Sequence, residues 1–454
     1  MDVSVVILAA GQGKRMCSDL PKILQPLAGR PLLAHVIDTV KSLNPDRICV
    51  VYGHGGDLVK EAFADEDLAW VLQAEQLGTG HAVLQALPQI GKDDIVLILC
   101  GDVPLVRTAT IEPLITVAES DKLAILTTDL TDPTGYGRIV RDIDSHVKSI
   151  VEENDATDEQ KSITEINTGL MACRAPLLSQ WLQRISPDNA QGEYYLTDIV
   201  GCAIDDDIAV VPVSTEYSAE VLGINDKKQL ADAERNYQQA VVDSLLQQGV
   251  TIIDPRRVDI RGNLTCGRDV VIDVNTIFEG EVALGDGVQV GANTIIGNSS
   301  IGAGSKILPN CILDEAKIGK SCEIGPFTRT RPGVEMADQA KLGNFVEVKK
   351  SRIGKGSKVN HLTYIGDATI GARVNVGAGT ITCNYDGANK HPTIIGDGAF
   401  IGSGVELIAP VEVGEGATIG AGATVSKDAP AGELTVERSR QKVVTGWVRP
   451  VKGK

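Results

Sequence analysis

Two different periods organise the hydrophobic positions of this chain. In the first half, short apolar runs alternate with amphipathic stretches. The runs Val5–Ala9, Arg47–Tyr52, Ala69–Leu72, Ile95–Cys100 and Lys122–Thr127 predict strands, and the stretches Leu32–Leu43 and His81–Leu87 between them predict helices. Strands alternating with helices make a mixed, mostly parallel sheet covered on both faces, the Rossmann-like α/β class. Ligands of such a sheet sit beyond the C-terminal ends of its strands.

From residue 252 the period becomes six. Ile260, Cys266, Ile272, Phe278, Leu284, Val290 and Ile296 keep that step without a slip. After phase breaks, Ile312, Ile318 and Ile324 resume it, and a last series runs Ile395, Ile401, Leu407, Val413, Ile419 and Val425. Neither a helix nor a strand repeats every six residues. A coil of three short strands does, with one inward aliphatic per side and a tight turn after it. Eighteen residues then make one coil, and residues 258 to 430 stack roughly nine or ten of them at about 4.8 Å each. Residues that break the phase must leave the coil as loops, the largest near Asn384 to Thr393 (NYDGANKHPT).

Residues 226 to 248 contain no glycine or proline, and Leu230, Ala233, Tyr237, Val241 and Leu245 recur at helical spacing. Asp226 can cap the start and Gly249 the end. The organisation is therefore 1–225 for the α/β domain, 226–250 for a linker helix and 251–454 for the coil domain with a C-terminal tail.

Composition narrows the function. The net charge of -17 argues against a sequence-blind grip on nucleic acid. Nine cysteines without a CxxC pair fit a reducing compartment and give no zinc site. No apolar run is long enough to span a bilayer, which places the chain in the cytoplasm.

The candidate chemistry of the first half lies in SVVILAAGQGKRMCSDLPK, Ser4 to Lys22. Gly11 and Gly13 allow the backbone to approach an oxyanion, and Lys14, Arg15 and Lys22 supply positive charge. A P-loop is excluded, because Leu8 stands where its first glycine is needed and Arg15 where Ser or Thr is needed. The dinucleotide fingerprint fails at Met16. Gly78-Thr79-Gly80 forms a second flexible loop after a strand. Gly101-Asp102 ends the most hydrophobic strand, where a carboxylate is either a magnesium ligand or a turn aspartate. In the coil half, RTRPG (329–333), NFVEVKK (344–350), HLTYIGD (361–367) and TCNYDGANK (382–390) put cations, a histidine and tyrosines on turns. A plain trimerisation rod would not need them.

LAAGQGKRM followed by LPK resembles the signature of sugar-1-phosphate nucleotidyltransferases. With DPTGYGR (132–138), INTG (166–169), QGEYYLTD (191–198) and the six-residue repeat, the chain resembles over its full length the bacterial bifunctional uridyltransferase/acetyltransferase family that makes UDP-N-acetylglucosamine. The resemblance implies a left-handed parallel β-helix, a homotrimer, magnesium, and the substrates UTP and acetyl-CoA, with no nucleic-acid or membrane partner. Leu8, Ala9, Ala10 and Gly11 would lie against uracil and ribose, Arg15 and Lys22 at the phosphates. Gln73, Gly78 and Thr79 would read the uracil. Gly101 would touch the nucleotide, and Asp102 and Asn225 would hold the metal. Gly137, Glu152 and Asn167 would bind the sugar. In the coil half His361 would be the general base. Arg331, Lys349, Tyr364, Asn375 and Lys390 would bind glucosamine-1-phosphate, and Ala378, Asn384, Tyr385, Ser403, Ala421 and Arg438 acetyl-CoA. Lys14 departs from the family pattern, where threonine is usual, and the tail around Arg438 matches the family poorly.

Overall fold

The computed structural model describes residues 2 to 452 except 12, 54, 438, 439 and 451. It forms two compact units, Met1–Tyr237 and Gln238–Lys454. Arg438 of the acetyl-CoA set lies outside the described residues. Among the described residues no helix is long and apolar enough to cross a membrane.

The main sheet of the first unit has nine strands among the described residues: β1 Val3–Ala9, β2 Arg47–Tyr52, β3 Ala69–Leu72, β4 Ile95–Cys100, β5 Leu123–Asp129, β6 Arg138–Arg141, β7 Val147–Val151, β8 Glu165–Arg174 and β9 Val210–Ser214. Their order is β9-β5-β8-β4-β1-β2-β3, with β6 pairing β8 and β7 pairing β6. β8 runs antiparallel to both its neighbours, while β4, β1, β2 and β3 are mutually parallel. Strands covered on both faces can be apolar at every position. In β4, Ile95 to Leu99 are all fully buried. Along β1, Val5 and Ile7 enter the core on one face and Val6 the core on the other, as strand alternation requires. Chain order reverses beside β1, so the C-terminal ends of β1 and β4 open a crevice there.

The helix Lys227–Gln247 begins as its sequence suggests. Asp226 Oδ1 accepts from the Gln229 N–H at 2.8 Å, and Gly249 has φ +91°. The division between the units falls inside it. Ala233, with Leu230 and Tyr237 beside it, packs among Met16, Leu27 and Leu32. Val242 and Leu245 belong instead to the β-helix core. The buried Gln238 amide makes two bonds with the backbone of Ile260, at 2.9 and 2.8 Å.

The second unit is a parallel β-helix. Its 26 strands pair with strands one coil away, in parallel register. The coil length departs from a uniform eighteen. Val258 pairs with Thr276, 18 residues on; Gln289 with Lys306, 17 on; Asn375 with Phe400, 25 on, around the loop at 384–391. This changes one inward position. Ile312 is 45% exposed and Leu313 fills the coil instead at 1%. The buried sequence is Ile296, Ile301, Ile307, Leu313, Ile318, Ile324. Two five-residue steps shift the phase, and two adjacent aliphatics gave periodicity no means of choosing between them. The final series, Ile395 to Val425, is buried throughout.

One corner of the coil is left-handed through nine successive levels among the described residues. Asn275, Asn293, Asn310, Phe327, Phe345, Leu362, Gly379, Gly404 and Gly422 follow one another there with φ between +49° and +75°. Asparagine and glycine tolerate that conformation, but phenylalanine and leucine occupy it at a steric cost. Phe327 and Phe345 stack at 5.2 Å, and both are exposed, as is Leu362.

Candidate active sites

The crevice of the first unit is assembled from strand ends. Leu8 pairs with Cys100, and the Gly101 N–H donates to Leu8 O at 2.9 Å, so Leu8–Gly11 runs beside Gly101-Asp102. Gly13 has φ +59°, and a Cβ there would lie 2.7 Å from the Lys22 Cβ, which seats Lys22 directly against the loop. The Lys22 ammonium forms an ion pair with Asp102 and donates to Asn225 Oδ1 at 3.2 Å. Asn225 is itself fixed, since its N–H donates to Gln229 Oε1 at 2.7 Å and its Nδ2 to Gly223 O at 3.2 Å. A carboxylate and an amide oxygen thus converge on one cation, a hard-oxygen pair that suits magnesium.

Lys22, Asp102, Leu8–Gly11, Gln73, Gly78 and Thr79 line a cavity of about 460 Å³. Gln73 is buried and donates to Gly78 O at 3.0 Å. Gly78, at φ +114°, has no room for a Cβ beside the Tyr194 backbone, and Thr79 Oγ1 accepts from the Leu196 N–H at 3.0 Å. The loop is therefore clamped onto segment 194–196. Arg15 is exposed and does not line this cavity. Lys14, Gln76 and Glu193 do line it. Only Lys14 carried a sequence signal, as a third cation on a glycine loop.

A second pocket, of about 190 Å³, shares Leu8, Thr79 and Cys100 with the first and adds Gly137, Glu152 and Asn167. The β5–β8 register shifts between Asn167 and Met171, and Gly169 takes φ +81°. The Asn167 N–H donates to Gly137 O at 2.8 Å, joining the two. Arg138, 1% exposed, lies beneath them and pairs with Glu153 at 2.8 Å. Burial pushes the Glu152 carboxyl above its ordinary range, against a 3.0 Å bond donated by Thr197 Oγ1. The Cys100 thiol is half-buried, and its loss of solvent pushes it up to about 12, so it stays neutral.

In the β-helix the expected residues form two groups on one chain. At the left-handed corner, His361 O accepts from the Gly379 N–H, Ala378 O from Gly404 and Ser403 O from Gly422. His361, Ala378, Ser403 and Ala421 are thereby stacked one per coil. Asn375 is on the strand leading into this corner. The other group is cationic. Lys390 beside it holds the Lys349 ammonium below the ordinary lysine range, with Arg331 adding to the effect. Asn384 Nδ2 donates to Asp367 Oδ2 at 2.6 Å, and Tyr364 Oη and Asn384 Nδ2 both lie over Gly366. The loop that carries Tyr385 and Lys390 is tied by Asp386, which accepts from the backbone of Asn389 and Ala388 and pairs with His391 at 2.7 Å. His361 and the column of Lys349 and Gly366 stand at opposite ends of the segment 361–366, beside successive corners of the coil at Leu362 and Asp367.

Comparison with known proteins bears on both units. Residues 5–158 match the family described as MobA-like NTP transferase domain, and residues 392–427 match bacterial transferase hexapeptide (six repeats). The chain is 55% identical to the "Bifunctional protein GlmU" of Azoarcus sp. (strain BH72), over 99% of this chain and 100% of that protein. It is likewise 55% identical to the protein of that name from Ralstonia pickettii (strain 12J), over 100% and 99%. The one from Nitrosospira multiformis matches at 55%, over 99% and 98%. The match runs along essentially the whole of this chain and of these relatives, and the chain belongs to their family, the bifunctional GlmU transferases.

Proposed function

We propose that the chain acetylates glucosamine-1-phosphate and then uridylylates the product. The observation that carries this reading is the shared wall of the two N-terminal cavities. Leu8, Thr79 and Cys100 border both, so a nucleotide and a sugar can meet end to end. In the first unit an oxygen of N-acetylglucosamine-1-phosphate attacks the α-phosphorus of UTP. The bond to the β-phosphate oxygen breaks, and pyrophosphate leaves with its electron pair. The nucleophile is already an anion, so no base is required. Lys22 binds phosphates in the cavity, with Arg15 outside its lining, Gln73 with Gly78-Thr79 reads the uracil, and Gly137, Glu152 and Asn167 hold the sugar. Asp102 and Asn225 hold magnesium, which offsets charge on the phosphates when bound.

In the β-helix the amine of glucosamine-1-phosphate attacks the thioester carbonyl of acetyl-CoA. The His361 imidazole takes the amine proton, and the coenzyme leaves as the thiol. Arg331, Lys349 and Lys390 suit a phosphate by charge, with Tyr364 and Asn375 at the sugar. Ala378, Ser403 and Ala421 leave the corner narrow enough for a long ligand, and Asn384, Tyr385 and Arg438 complete the acetyl-CoA set. The separation of His361 from the cations on one chain supports a site completed by a neighbour in a homotrimer. The exposed Phe327, Phe345 and Leu362 beneath His361 give such a neighbour an apolar seat. The reaction belongs to the cytoplasm and supplies cell-wall and lipopolysaccharide precursors.

A single assay tests the reading. UTP, acetyl-CoA, magnesium and glucosamine-1-phosphate are supplied together, and free thiol and pyrophosphate are followed separately. His361→Ala is expected to stop thiol release while leaving pyrophosphate release from added N-acetylglucosamine-1-phosphate intact. Unchanged thiol release in that variant would refute the acetyltransferase assignment.

A further inference from the structure

The Lys22 ammonium occupies a position that the reaction cannot leave it in. It pairs with the Asp102 carboxylate and donates to Asn225 Oδ1 at 3.2 Å, the same two oxygens that suit a divalent cation. Both partners of the ion pair are largely shielded, with side chains 13% and 19% exposed. Lys22 is held there from behind. Its Cβ lies where a side chain on Gly13 would stand, close to that backbone, and the next two residues, Ile23 and Leu24, are buried in the core. Asn225 is likewise fixed by Gln229 and Gly223, so its oxygen is aimed at the ammonium rather than drifting towards it.

We propose that Lys22 is a built-in counter-ion that keeps Asp102 and Asn225 closed to metal until nucleotide phosphates draw its ammonium away. An ammonium and a divalent cation at the same two oxygens repel each other and share one set of lone pairs, so they compete. A polyphosphate entering beside Gly11 offers Lys22 several anionic oxygens in place of one carboxylate. Lysine suits this exchange, being a compact charge on a flexible stem rather than a rigid fork. Metal therefore enters with the nucleotide, not ahead of it. The crevice remains charge-balanced when empty, which matters for a chain with a net charge of -17.

This inference rests on Asp102 and Asn225 being the metal ligands, and the test separates the two claims. Mn²⁺ alone is titrated into the full-length chain without nucleotide, and free Mn²⁺ is read by electron paramagnetic resonance. The wild type is expected to bind weakly. Lys22→Met and Lys22→Gln are each expected to bind about ten-fold more tightly or better. Adding Asp102→Asn to either variant is expected to abolish the gain. If neither Lys22 variant binds Mn²⁺ more tightly than the wild type, the counter-ion role is wrong. If the gain survives Asp102→Asn, the metal is bound elsewhere and the ligand assignment itself fails. A thermal melt of each variant matching the wild type confirms that the comparison is between folded chains.

Discussion

Cys100 borders both N-terminal cavities, yet its chemistry is closed. Burial pushes its thiol up to about 12, and Cys173 likewise, while Cys17 is exposed on the loop. Only thiolates alkylate quickly. Iodoacetamide at about pH 8 is therefore expected to label Cys17 and spare Cys100 and Cys173 in the native chain, as peptide mapping would show. Glu152 shows the same effect of burial on a carboxyl. Its carboxyl is held above the ordinary range, so the folded chain keeps the proton to higher pH than the unfolded chain. The stability this gives is present below the unfolded value and lost as pH rises through the folded one. Glu152→Gln should then be more stable than the wild type at neutral pH, the gap closing towards about pH 4 in urea titrations. The same variant is expected to raise KM for N-acetylglucosamine-1-phosphate. Motif spacing located Glu152, but burial of its charge needed the sheet above it and Thr197 from a distant segment.

At the scale of elements, the β-helix shows how far a period can be read. Six-residue spacing predicts the coil and most of its inward residues, because each side of the triangle admits one aliphatic. It misplaces Ile312, because two five-residue steps exchange which of two adjacent aliphatics points inward. Leu313→Ala is accordingly expected to cost about 2–5 kcal/mol in denaturant unfolding. Ile312→Ala should change stability by no more than about 0.5 kcal/mol. Equal losses for both would mean that the coil is not phased as described. The long loop was legible for a related reason: a 25-residue step leaves residues with no place in a coil of 17 or 18. Its inner folding, with Asp386 tying the backbone of Ala388 and Asn389, depends on a turn that the sequence only hints at.

For the whole molecule, the separation of His361 from Lys349 and Lys390 makes a quantitative prediction. If each acetyl site takes its histidine from one chain and its cations from another, neither His361→Ala nor Lys390→Ala protein is active alone. Co-expressed at equal levels, random trimers of the two regain intact sites at about one quarter of wild-type activity. No recovery on mixing would place both groups of a site on a single chain. Light scattering gives the accompanying mass, expected near three times that of the chain.

By itself, the sequence determined the two architectures and singled out the candidate chemistry-bearing residues. Both follow from local rules: a period that only one backbone geometry satisfies, and glycines and cations grouped after a strand. Tertiary structure decided which of those residues meet. Lys22 and Asn225 lie some two hundred residues apart, and only the sheet and the start of the long helix bring them to one carboxylate. Tertiary structure also set Arg15 outside the cavity and split the candidate acetyl-site residues between two corners of the coil. Those outcomes depend on how strand ends and coil turns stack in space, which no local spacing records.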